Sequence, residues 1–152
     1  MTNIDMPTAS TPRRQEEPRR QDLHDECIED RLCRQIIDAA IEVHRILGGP
    51  GLLESIYEEA LYQELILRKI PVKRQVRVPV TYKGVTMQNP LIIDLLVGDK
   101  VVVEIKATEH DHPIYKAQTL TYLRLTNLKL GLLLNFGLPR LVDGLSRIAN
   151  GL

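Results

Sequence analysis

The run Val101-Val102-Val103-Glu104-Ile105-Lys106 constrains this chain more than any other segment. So dense in Val and Ile, it reads as a buried strand. Side chains alternate along a strand, so Glu104 and Lys106 share one face and Val103 and Ile105 the other. A carboxylate and an ammonium at the end of an apolar strand are costly unless paired or bound to something. Upstream, the apolar run Leu91-Ile92-Ile93-Asp94-Leu95-Leu96-Val97 carries a second acid, Asp94. Two carboxylates and a neighbouring cation are what a hydrolytic metal site needs. A buried ion pair between Glu104 and Lys106 fits the same residues, and on these alone it stands slightly ahead.

The connection between the two runs decides whether the acids can meet. A two-residue Gly98-Asp99 hairpin would pair Val97 with Lys100 and put Asp94 on the face away from Glu104. A three-residue loop, or a bulge, would set Asp94 opposite Glu104. A shared site therefore requires an odd-length loop or a bulge between them.

At 152 residues the chain is one domain with room for a core. Its 20 basic and 20 acidic residues balance, which argues against a broad cationic coat but leaves room for a local basic cleft. No run approaches the ~20 apolar residues of a membrane span, and the N-terminus lacks an apolar signal core. Cys27 and Cys33 lie six apart in a predicted helix, on different faces, so neither a disulfide nor a thiolate metal site is expected. A cytoplasmic setting follows from these features.

Residues 1–24, rich in Pro, Ser, Thr and charge, read as a disordered tail, and 25–152 as the folded domain. Helical spacing of Ile28, Leu32, Ile36, Ile37, Ala40, Ile41 and Leu47 predicts a first helix, ended by Gly48-Gly49-Pro50-Gly51. A second runs from about Leu53 to Lys69 with Ile56, Ala60, Leu61 and Leu65 inward. Alternation from Val72 to Tyr82 predicts a half-buried strand, near an edge because of Pro79. Lys83-Gly84 turns into a strand ending at Val97, and the Glu-x-Lys strand follows. His112-Pro113 opens a helix to about Thr126, and Leu128 to Phe136 is a buried strand. The segment Leu138 to Leu152 has no assignable pattern. The order of elements predicts a mixed α/β sheet with helices packed on it.

Gln118 and Tyr122, four apart, share a helix face, as do Glu54 and Tyr57, three apart. Singly, each pair has an ordinary explanation in packing or in the helix dipole. Together, Gly51-Leu52-Leu53-Glu54-Ser55-Ile56-Tyr57, Ile41-Glu42-Val43-His44, Ile93-Asp94, Glu104-Ile105-Lys106, Gln118 to Tyr122 and Leu130 to Gly137 form an ordered set. From about Ile28 to Asn150 the chain resembles the GxxExxY protein family, a branch of the PD-(D/E)xK nuclease superfamily. The resemblance implies a restriction-endonuclease-like core, a mixed sheet flanked by α-helices. It makes Asp94, Glu104 and the Ile105 carbonyl metal ligands and Lys106 the catalytic lysine. Gln118 and Tyr122 become its Q-x-x-x-Y pair, and Glu54 the first-helix acid with Tyr57 beside it. His44 lies in the family's Val-His segment without an assigned role. Ile93 stands where the superfamily's name has proline.

The residue types suit that chemistry. Carboxylates favour a hard cation such as Mg²⁺ or Mn²⁺, which acts with bound water and phosphate oxygens. Lys106 would stabilise charge on the phosphate. No Cys–His cluster, phosphate loop or dinucleotide fingerprint competes, and His110 and His112 read as helix capping. The expected activity is metal-dependent phosphodiester hydrolysis of DNA, or secondarily RNA. The alternatives are a nuclease-fold module that binds nucleic acid or a protein without cutting, and a small phosphoester hydrolase. Nucleic acid is the expected partner, a membrane is not, and a homodimer is compatible with this reading.

Overall fold

The computed structural model describes residues 26–151 and, ahead of them, Ser10. The tail expected over 1–24 otherwise lies outside the described residues. The first helix, α1, spans Ile28–Ile46 and buries Leu32, Cys33, Ile36, Ala39, Ala40, Val43 and His44. That stripe runs through the two alanines, which lets α1 sit close to the sheet and leaves Ile28 and Ile41 exposed, contrary to the spacing-based expectation. Gly48 and Gly49 close α1 by donating back to the Arg45 and His44 carbonyls, with Gly48 in the left-handed conformation that such an end requires.

Helix α2, Glu54–Leu67, packs through Tyr57, Glu58, Leu61 and Leu65. Ile56, expected inward, is exposed because Tyr57, Leu61 and Leu65 lie four apart and set the buried stripe. Strand β1, Val72–Val78, is shorter than the alternation suggested. Past Pro79, which cannot donate to a ladder, Thr81–Tyr82 (β2) and Val85–Thr86 (β3) form a separate hairpin with Tyr82 exposed.

Strands β4 (Leu91–Val97), β5 (Val101–Lys106), β6 (Leu130–Asn135) and β7 (Leu145–Ala149) join β1 in a mixed sheet of order β1-β4-β5-β6-β7. Only β5 and β6 run parallel, joined by α3, Pro113–Thr126, which His112 caps by accepting from the Ile114 amide. Strand β7, unassigned from sequence, pairs with β6 after a short 3-10 helix at Leu141–Gly144. The larger core lies between the sheet and α1 and α2. A smaller one, centred on Ile93, Val102 and Leu123, lies beneath α3. Gly131 on β6 admits α3 closely, since a Cβ there would come within 2.9 Å of Thr119. No helix among the described residues is long and apolar enough to cross a membrane.

Candidate active site

Gly98 and Asp99 both have positive φ, as a tight turn wants, but Lys100 is an extra residue. The ladder therefore starts at Val97↔Val101 and continues to Leu95↔Val103. This odd-length loop is what a shared face for Asp94 and Glu104 required. Beyond Leu95 the strands part. Strand β4 stays with β1 to Val78↔Leu91, while β5 stays with β6 to Lys106↔Asn135. In the resulting notch, side chains replace the ladder: the Ile105 amide donates to Asp94 Oδ2 at 2.8 Å and the Asp94 amide to Glu104 Oε1 at 3.3 Å.

Two carboxyl groups this close, out of water, cannot both ionise easily. Burial, and then the charge of Asp94, push Glu104 up to about 9. Burial raises Asp94 as well, against the pull of the Ile105 amide and the Lys106 charge. Of the two, Glu104 is the more deeply buried, and the Asp94 charge adds to its rise. Lys106 is half-buried at the end of β5 with its Nζ 4.9 Å from the centroid of the Tyr115 ring. Among the described residues it forms no ion pair, so the simple Glu104–Lys106 bridge is not what the structure contains.

The notch is reached from both sides of the sheet. From α2, Glu54 is raised by burial and by Asp94 while Lys106 lowers it. From α3, Tyr122 is raised by burial and then by Glu104 and Asp94. Gln118, one turn earlier, is exposed and makes no hydrogen bond to the acids. Tyr57 is fully buried and its hydroxyl makes no hydrogen bond to the acids. It stacks on Phe136, donates to the Gly49 carbonyl at 2.7 Å and accepts from the Leu52 amide at 3.2 Å. His44 donates from Nε2 to the Leu138 carbonyl at 3.0 Å. Both fasten loops around the site.

Sequence reasoning passed over Glu58, Arg74 and Gln75. Glu58 is buried one turn beyond Glu54, accepts from Gln75 Nε2 and lies 3.6 Å from Arg74 Nε. Burial raises it, and Asp94 adds to the rise.

Among the described residues no trio of His, Cys, Asp or Glu is grouped to hold a metal ion. Asp94 and Glu104 form a close pair of hard oxygen donors, and a cation such as Mg²⁺ needs only one or two carboxylates beside water and phosphate oxygens. The donor chemistry therefore fits such an ion. Compared with known families, the chain matches the PD-(D/E)XK nuclease superfamily over residues 30–148. The chain belongs to that superfamily. Its five-stranded mixed sheet with flanking helices is the restriction-endonuclease-like fold of these nucleases. No curated protein and no solved structure matches it.

Proposed function

We propose that this member of the PD-(D/E)XK superfamily is a metal-dependent nuclease that hydrolyses phosphodiester bonds of DNA, with RNA the less favoured substrate. The observation that carries this reading is the meeting of Asp94 and Glu104 in the notch between β4 and β5, where burial raises both and the charge of Asp94 raises Glu104 further. Asp94, Glu104 and the Ile105 carbonyl would hold Mg²⁺ or Mn²⁺. Such an ion supplies an activated water and offsets charge on the phosphate.

The chain's own groups divide the remaining work. The Ile105 amide orients Asp94. Lys106, whose charge acts on Glu54, Asp94 and Glu104, stabilises charge that develops on the phosphate. Glu54 and Tyr122 face the acids from opposite layers and orient water or phosphate oxygens, and Gln118 joins them when substrate is bound. Cleavage of labelled linear, circular and single-stranded DNA and of RNA, with and without Mg²⁺ or Mn²⁺, tests the proposal. Metal-dependent products lost in Asp94→Asn support it. Binding without cleavage under every condition would favour a non-cutting module of the same fold.

A further inference from the structure

The loops that follow β5 and β6 leave the sheet side by side, because these strands are its parallel pair. The space outside the carboxyl ends of parallel strands is where α/β sheets bind ligands. Here Asn135 makes that floor rigid. Its Oδ1 accepts from the amides of Thr108 at 3.1 Å and Gly137 at 2.9 Å, and its Nδ2 donates to the Thr108 carbonyl at 3.0 Å. Opposite stands the loop from Gly48 to Leu52, tied down by the Tyr57 hydroxyl.

Two concavities lie along these loops. The first, about 450 Å³, is bounded by Pro50, Gly51 and Leu52 on one side and Ala107, Glu109 and Gly137 on the other. The second, about 500 Å³, lies between Gly48 and Gly49 and the segment from Pro139 to Val142. Ala107 directly follows Lys106 and Leu52 lies two residues before Glu54, so the first concavity adjoins the segments that carry these two candidate site residues. Both share the loop from Gly48 to Leu52 as a wall, which makes them successive parts of one path. At the far end Arg140 is exposed and, among the described residues, in no ion pair. Arg45, on the same concavity, is held by Glu42 at 2.9 Å.

We propose that this path carries one polynucleotide strand away from the scissile phosphate, with Arg140 as its distal phosphate contact. The proposal rests on the nuclease reading above and adds the footprint of its substrate. Each concavity has the size of a small-ligand pocket, a scale that suits the nucleotides of a single strand. Glycines line much of one wall and present backbone, so contact with the strand is indifferent to base identity. Affinity then comes from phosphate contacts and depends on salt. Glu109, the one acid lining the first concavity, opposes binding and keeps it weak.

Fluorescence anisotropy with a labelled single-stranded oligodeoxynucleotide, over a salt series, tests the path in wild type, Arg140→Glu and Glu109→Gln. Hydrolysis of bis(p-nitrophenyl) phosphate with Mn²⁺ is followed in parallel, because that small diester needs the acids but not the path. Arg140→Glu should weaken strand binding severalfold and reduce the salt slope by about 0.7, the value for one lost single-strand phosphate contact. Glu109→Gln should tighten binding, and neither change should alter hydrolysis of the small diester. Wild-type affinity and slope in Arg140→Glu would overturn the path, as would equal affinity for duplex and single strand. Failure of the wild type to hydrolyse the small diester would count against the nuclease reading alone, since the anisotropy judges the path separately.

Discussion

Glu58 on α2 and Gln75 on β1 are hydrogen-bonded between layers, where β1 and β4 change the direction they face. Val72, Leu95 and Val97 pack in the larger core, whereas Val76, Val78 and Ile93 pack in the smaller one. An undisturbed strand would keep Ile93 and Leu95 on one face. The switch falls at Asp94 and, opposite it, at Gln75, whose φ of 53° is costly for a residue with a side chain. Glu58 holds that distortion, and the distortion turns Asp94 into the notch. The acid pair thus depends on a residue that touches neither Asp94 nor Glu104 through a hydrogen bond.

Glu58→Ala should therefore do more than destabilise. Loss of the acceptor for Gln75 and of the Arg74 partner should cost about 1–3 kcal/mol. It should also weaken Mn²⁺ binding at Asp94 and Glu104, measured by calorimetry on the folded variant. Glu58→Gln keeps an acceptor oxygen for Gln75 and should recover most of that affinity. Unchanged Mn²⁺ affinity in Glu58→Ala would reduce the clamp to a purely stabilising contact.

The acid pair also sets a pH dependence. Glu104 keeps its proton up to about 9 in the folded chain, against roughly 4.3 when unfolded. Between those values the folded state binds more protons than the unfolded one, so stability falls as pH rises, by at most about 1.4 kcal/mol per pH unit. Asp94, also raised, adds to the same trend. The Tm of the metal-free protein should drop as pH climbs through this window. Glu104→Gln should flatten the curve and stand above wild type at the alkaline end, and Mn²⁺ should flatten it in the wild type. A wild-type Tm that is level across the window would remove the coupled pair from the description.

Tyr57 offers a contrast, because its hydroxyl serves the Gly48–Leu52 loop and not the acids. Tyr57→Phe should cost about 1–2 kcal/mol from the two lost hydrogen bonds while Mn²⁺ affinity stays at the wild-type value. Denaturant unfolding and calorimetry on the same sample distinguish these effects. A large loss of metal affinity would give Tyr57 a part in the site that its position does not show.

What could be read in the sequence was whatever depended on strand alternation and loop arithmetic. The pairing Val97↔Val101 and the convergence of Asp94 and Glu104 belong to that class. The dependence on Glu58 does not, because a glutamate beside exposed Glu59 looks like any solvated helix position until β1 closes over it. Strand β7 was hidden for a similar reason. Ser146 and Arg147 interrupt its apolar pattern, and only pairing with Leu133 and Leu132 of β6 makes it a strand. From Val78 to Tyr82 the opposite happened: alternation continued through a proline that ends the real strand.

Lys106 is where fold and chemistry separate most cleanly. Its ammonium has the Tyr115 ring as a neighbour, 4.9 Å from the centroid, and no carboxylate in an ion pair among the described residues. Removing it leaves no buried bonded partner exposed, so Lys106→Ala should cost no more than about 1 kcal/mol, the scale of one cation–aromatic contact. Its charge nevertheless favours the ionised forms of Asp94, Glu104 and Glu54, so metal binding should persist but shift to higher pH in the variant. Cleavage should fall by at least about 10²-fold, the scale for losing one group aimed at developing charge. Single-turnover cleavage, calorimetry with Mn²⁺ and thermal unfolding on one preparation make the comparison. A fold-breaking Lys106→Ala would restore the structural ion-pair reading, and a stable, fully active one would take the lysine out of the chemistry.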